Sequence, residues 1–234
     1  MSNLSKYLAT PCPASPPRTP DCRAQWKLVA RRRKEEGVLP KIETRPPLQF
    51  RPVTAERWHD LESLFGERGA CGGCWCMWWR VKRSEFEQQK GEGNRQALKT
   101  IVESGEVPGI LAYAEGQPVA WCSVAPREHF PVLDRSRILK RVDEEPVWSV
   151  VCFFVARPFR GQGLMVALLR AAVDYAKAHG AQIVEGYPVE PRQDRTPDAF
   201  AWTGLASAFR KAGFVEVLRR SESRPIMRYA VQGQ

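Results

Sequence analysis

A chain of 234 residues, 43% of them hydrophobic, can bury one main core of ordinary domain size without disulfide or metal staples. Its formal net charge of +10 is uneven: residues 1–47 carry ten Lys or Arg against four acids, so the remainder is only mildly basic, which suits a polyanionic ligand and weighs against nucleic acid. No apolar stretch is long enough to span a bilayer, and the start MSNLSKYLATPCP lacks the apolar core of a secretory signal.

Seven cysteines is an odd number, and Cys122 and Cys152 fall in predicted buried strands. Reducing surroundings and a cytoplasmic location are therefore expected. Residues 1 to about 20 are proline-rich, which predicts an extended lead. Asp21 to Glu36 can form a helix around Trp26, Leu28 and Val29, with Arg31-Arg32-Arg33-Lys34 solvated or available to an acidic partner. Gly37 to Pro47 reads as a linker, so an N-terminal extension, 1–47, is expected to precede a domain spanning 48–234.

In that domain Leu48 to Val53 alternates as a short strand. Thr54 can cap a helix in which Trp58, Leu61, Leu64 and Phe65 share a face, ending at Gly66. Ser84 to Ser104 predicts another helix, interrupted around Gly91 and Gly93. Gly109 to Ala114 and Val119 to Ala125 predict two strands joined by the turn Glu115-Gly116-Gln117-Pro118. A short helical segment is expected near Arg135 to Leu139.

The unbroken apolar run Val147 to Ala156 predicts a strand buried on both faces. Pro158, Gly161 and Gly163 then turn the chain. From Leu164 the spacing becomes helical, with Leu164, Leu168, Ala171, Ala172, Tyr175 and Ala176 on one face, until Gly180 stops it. Gln182 to Val189 predicts a second strand. Strand, glycine loop, helix and strand make a β-α-β unit whose strands must be parallel, and the loop at the helix N-terminus is suited to a phosphate. Beyond the polar loop Pro191 to Pro197, a short helix from Thr203 or Gly204 to Ala212 precedes strands over Phe214 to Arg219 and Pro225 to Ala230.

Arg160-Gly161-Gln162-Gly163-Leu164-Met165 resembles the acyl-CoA pyrophosphate loop of the GNAT superfamily of N-acetyltransferases, in which Gln or Arg is followed by two residues, Gly, one residue, and Gly or Ala. Met165 departs from that last position. Read alone, the six residues also fit a plain glycine turn. The order of elements over 48–231 is similar to the family's, as is Ala208 to Phe214, AFRKAGF, to its closing helix and Gly-Phe junction. The resemblance implies an α/β fold with a mixed sheet around the central parallel unit, and an N-acetyltransferase using acetyl-CoA with no metal.

The resemblance further implies that a bulge splays the strand at Val147 to Val155 from its parallel neighbour. It puts pantetheine contacts on the backbone of Phe153, Phe154 and Val155, and the pyrophosphate on Arg160, Gly161, Gln162, Gly163, Leu164 and Met165. Backbone N–H groups of that strand can polarise the thioester carbonyl. Glu185, interrupting an apolar strand, is the first candidate base for an amine acceptor, with Glu190, Glu144 and Glu145 in reserve; a salt-bridged Glu185 is the alternative. Phe209 stands beside the cofactor where the family has a proton-donating tyrosine. Tyr187 or Ser207 can replace that donor, or the thiolate can leave unprotonated, since a thiol pKa is only about 8.5.

Cys71-Gly72-Gly73-Cys74-Trp75-Cys76-Met77-Trp78-Trp79-Arg80 admits three readings. The cysteines, with His59, form an incomplete metal set. The tryptophans are core residues, or they wall an acceptor pocket for an aromatic or cationic amine. His129 and His179 are expected at the surface. The competing function is a non-catalytic acyl-CoA-binding module, motivated by Met165 and Phe209.

Overall fold

The computed structural model describes residues 47–191 and 201–231. The expected proline-rich lead and the helix over Asp21 to Glu36 lie outside the described residues, as does nearly all of the loop after Pro191.

Seven strands form one sheet: β1 (Gln49–Pro52), β2 (Gly109–Ala114), β3 (Gln117–Pro126), β4 (Trp148–Val155), β5 (Ile183–Gly186), β6 (Val215–Arg219) and β7 (Pro225–Ala230), in the order β1-β2-β3-β4-β5-β7-β6. Only β4 and β5 run parallel; every other neighbouring pair is antiparallel. The helices are α1 (Trp58–Phe65), α2 (Arg83–Gln88), α3 (Glu92–Glu103), α4 (Pro131–Asp134), α5 (Leu164–Ala178) and α6 (Ala206–Ala212). A mixed α/β fold around a parallel β4-α5-β5 unit is thus the architecture.

Two cores explain why the strands are apolar on both faces. On one face Leu164, Leu168, Leu169, Ala172 and Ala176 of α5 join Ala208, Phe209 and Ala212 of α6 against Val150 and Val184. On the other, Trp58, Leu61 and Phe65 of α1, Leu98 and Val102 of α3 and the Trp75–Trp79 segment cover Trp121, Val151 and Cys152. β2 is buried along its whole length because both layers cross it.

The structure changes several boundaries. The helix expected over Ser84 to Ser104 starts one residue earlier and is interrupted as expected, dividing into two where Gly91 takes a left-handed φ of +89°. The helical turn expected near Arg135 to Leu139 lies earlier, at Pro131–Asp134, where proline's fixed φ favours a first helical position. Thr54 precedes a 3-10 turn at Ala55–Arg57, and its hydroxyl bonds Glu56 at 2.5 Å instead of capping the backbone. β5 ends at Gly186; Val189 pairs separately with Leu205. His179 is exposed, but His129 is half-buried, with Nδ1 2.7 Å from Glu106 Oε1.

Candidate active site

The bulge in β4 sets the geometry of the site. Ser123 of β3 pairs with Cys152, but the next residue, Val124, pairs with Val150, leaving Val151 without a partner across the ladder. β4 and β5 stay paired only from Trp148↔Val184 to Val150↔Gly186. Beyond the bulge they part.

The segment leading into α6 enters the gap. The Phe153 N–H donates to the Trp202 carbonyl at 2.7 Å, the Val189 N–H to the Gly204 carbonyl at 2.8 Å, and the Ala206 N–H to the Val189 carbonyl at 3.0 Å. Phe209 closes the gap on the α5 side. It is fully buried and meets Phe153 edge-on, with ring centroids 6.1 Å apart. Gly186 is what allows this, since a Cβ there would lie 2.1 Å from Phe209 Cε1.

On the opposite side of β4 lies a cavity of about 430 Å³. The aromatic residues lining it are Trp78, Trp79, Phe86, Phe153, Phe154 and Trp202. Trp202 stacks on Trp79 at 5.7 Å between centroids and meets Trp78 edge-on at 6.3 Å. Trp75 and Trp79 are buried and Trp78 is half-buried, so the tryptophan-rich segment supplies both core and wall. Trp75 and Cys76 hold left-handed φ values of +44° and +54°, conformations that non-glycine residues keep only where packing imposes them.

Thiols complete the lining. Cys76 Sγ lies 3.1 Å from Cys152 Sγ and 3.1 Å from the indole nitrogen of Trp121. The hydrogen bond with Cys76, together with burial, pushes the Cys74 thiol well up, and the hydrogen bond with Cys152 does the same for Cys76. Both are protonated thiols near neutral pH, poorly suited to nucleophilic attack. Among the described residues no group of three or more His, Cys, Asp or Glu is placed to hold a metal ion. His59, the distant fourth ligand of the metal reading, is exposed, with Nδ1 3.9 Å from Glu62.

The glycine loop stands at the start of α5. Gly161 and Gly163 have φ of +72° and +81°, and a Cβ at either would meet open space. The constraint there is backbone conformation and access, with Gly163 as the N-cap of a 15-residue helix. Arg160 Nε donates to the Val155 carbonyl at 2.9 Å, and Gln162 Nε2 to the Pro158 carbonyl at 2.8 Å, closing the loop on the end of β4. Leu164 is buried in the α5 core. Met165, the departure from the family pattern, accepts a 3.4 Å contact at Sδ from the Leu205 N–H, so its side chain is directed toward the segment before α6.

Glu185 and Tyr187 sit elsewhere. Glu185 is 1% exposed; its Oε1 accepts from Arg127 at 3.0 Å and from the Tyr187 hydroxyl at 2.7 Å, and its Oε2 from Arg228 Nε at 2.7 Å. Tyr187 also bonds Arg127 at 2.6 Å and Ser149 at 2.8 Å, and burial pushes its phenol well up. Neither residue lines the cavity. The carboxylate of Glu185, expected as a base, is paired with two arginines, as in the salt-bridged alternative, and Tyr187, expected as an acid, is hydrogen-bonded to it. Phe153 and Phe154 do line the cavity, while Val155 pairs with Ala120 at its edge. The reading of the residues missed Trp202 and Cys152 as lining. Trp202 offered one signal, an indole just ahead of the Thr-Gly that opens α6.

Residues 75–196, over half the chain, match the Acetyltransferase (GNAT) family. No curated protein sequence matches the chain. Among solved structures it is similar to the PaiA N-acetyltransferase from Thermoplasma acidophilum in complex with coenzyme A (14% identity over 79% of this chain and 99% of that one, TM-score 0.46). It is also similar to a ribosomal-protein-alanine N-acetyltransferase from Brucella melitensis (16%, 78% and 99%, TM-score 0.44). A third is yncA, a putative acetyltransferase from Salmonella typhimurium with acetyl-CoA (11%, 80% and 95%, TM-score 0.44). The matched residues run from the tryptophan-rich wall through the bulged strand and the glycine loop, and the chain belongs to the GNAT acetyltransferase family.

Proposed function

We propose that this acetyltransferase moves the acetyl group of acetyl-CoA to the nitrogen of an amine by direct attack in the Trp78–Trp79–Trp202 cavity. The observation that carries this reading is the bulge at Val151, which parts β4 from β5 and leaves the Phe153 N–H bonded to a loop carbonyl. That carbonyl occupies the position a donor carbonyl would take. The residues fit the donor at its other end too, because the open backbone at Gly161 and Gly163 meets the N-terminus of α5.

In this reading the pyrophosphate rests on Arg160 to Met165 and the pantetheine replaces Trp202 along β4. The thioester carbonyl accepts from the Phe153 N–H, which withdraws electron density as the amine attacks. Cys74 and Cys76 stay protonated, which favours direct transfer over an acyl-cysteine. The departing thiolate needs no acid, since a thiol pKa is about 8.5. Phe209, buried and without a hydroxyl, favours one second reading: an acyl-CoA-binding module without turnover.

Calorimetric titration with acetyl-CoA, beside a Gly161→Glu/Gly163→Glu variant, tests the donor site. Binding lost in the variant supports the reading, and release of CoA thiol on adding amines separates enzyme from binding module. No binding by folded protein removes both readings.

A further inference from the structure

The cavity's chemistry narrows the acceptor, on the premise that acetyl transfer happens there. Six aromatic residues line it, whereas its charged lining residues, Glu87 and Lys90, are both exposed and lie 3.9 Å from each other. The other titratable lining groups are Cys71, Cys74, Cys76 and Cys152. Among the described lining residues no imidazole is present, and the one carboxylate is already beside an ammonium.

An alkylamine is an ammonium at neutral pH. Entering this cavity it would surrender hydration without gaining an unengaged counter-ion among the described lining residues, and it would then need a base to free its lone pair. Cation–π attraction at Trp78 offers little relief, because the Arg83 guanidinium already lies over that ring at 5.2 Å. An amine bonded directly to an aromatic ring has neither difficulty. Its lone pair is delocalised, it is uncharged at neutral pH, and its flat body suits indole walls.

We propose that the acceptor is an aromatic amine, taken up uncharged between Trp78, Trp79 and Phe86. The nitrogen lone pair forms the new C–N bond to the acetyl carbon, the C–S bond breaks, and CoA leaves as thiolate. The proton lost from nitrogen passes through water and ends on the thiolate, so that amine and acetyl-CoA become an N-acetyl arylamine and CoA thiol.

The test compares 4-aminoacetophenone and aniline with benzylamine and cyclohexylamine, following release of CoA thiol by the full chain. At neutral pH kcat/KM is expected to favour the arylamines by at least about tenfold, and arylamine turnover to show no requirement for amine deprotonation as pH rises. Trp78→Leu is expected to raise KM for arylamines several-fold while calorimetric binding of acetyl-CoA is unchanged; Trp78→Phe, retaining a ring, restores much of it. Preference for benzylamine or cyclohexylamine overturns the proposal and leaves acetyl transfer standing. Acetyl-CoA binding with no amine acetylated overturns it too. Failure to bind acetyl-CoA removes the acetyl-transfer reading, and the acceptor with it.

Discussion

Arg127 and Glu185 form an ion pair of 3.0 Å in which both side chains are 1% exposed, between β5 and the turn that follows β3. Arg228 joins Glu185 from β7 at 2.7 Å and carries on to Asp143 through two hydrogen bonds. The carboxylate therefore ties the parallel strand to its antiparallel neighbour and to the 127–143 segment. Glu185→Gln leaves two arginines short of a counter-charge, a loss of about 3–5 kcal/mol for a buried pair. Urea unfolding is expected to show that loss, with turnover per folded molecule little changed. Reduced turnover at unaltered stability would return Glu185 to the chemistry.

Acid should loosen the far edge of the sheet. Hydrogen bonds from Arg210 and Arg219 hold the Glu190 carboxyl below its usual range, and a hydrogen bond from Arg219 does the same for Glu216. A carboxyl depressed in the folded state contributes stability above its unfolded pKa, and that contribution is lost as pH falls through the folded value. Stability should therefore decline as pH drops below about 4.5, and Glu190→Gln should flatten the decline. Urea midpoints across that range check it; an unchanged slope in the variant removes Glu190 as a contributor.

Cysteine reactivity should follow position in the cavity. Cys71 is exposed, whereas hydrogen bonding among the thiols and burial hold Cys74 and Cys76 protonated, and burial does the same for Cys122. Among the five described cysteines, peptide-resolved alkylation is expected to label Cys71 first and Cys76 and Cys122 only under unfolding conditions. Early labelling of Cys76 would mean that the floor of the cavity opens in solution.

The Trp202 carbonyl holds the Phe153 N–H that the proposed donor path requires, and the stacking of Trp202 on Trp79 supports that arrangement. Removing the stack by Trp202→Ala forfeits about 0.5–1.5 kcal/mol. Acetyl-CoA should therefore bind the variant about 2- to 12-fold more tightly, and tryptophan emission should change when it binds the wild type. Equal affinities would show that the donor does not displace this segment.

Gly186 and Phe209 should be coupled. Gly186→Ala puts a methyl 2.1 Å from the Phe209 ring edge, and such overpacking costs about 1–3 kcal/mol. Phe209→Leu is expected to be destabilising by itself yet to recover part of the Gly186→Ala loss. Additive losses in thermal unfolding would deny the coupling.

The β-α-β unit was legible because each transition has a local cause: β-branched and aromatic residues in β4, left-handed glycines at the turn, and helical spacing from Leu164. Pro225–Ala230 was legible to the residue. The partners of Glu185 were not. A lone acid in an apolar strand reads as a strained titrating group until its partners are known, and Arg127 and Arg228 come from positions 58 residues before and 43 after it. The cavity was half legible, since Trp78 and Trp79 are adjacent in sequence but their third member, Trp202, arrives from the other end of the domain.

The unpaired residue at Val151 also acts as a reading frame. Val150 faces the α5 layer, Val151 and Cys152 both face the tryptophan layer, and Phe153 returns to the α5 core. Each residue after the bulge takes its side from that one skipped step. A β4 shorter by one residue, with the same composition, would send Cys152 and Phe154 under α5 and turn Phe153 into the tryptophan layer, dismantling the cavity floor without changing its chemical inventory. The number of residues between Trp148 and Gly161 is therefore as much a specification of the pocket as their identity.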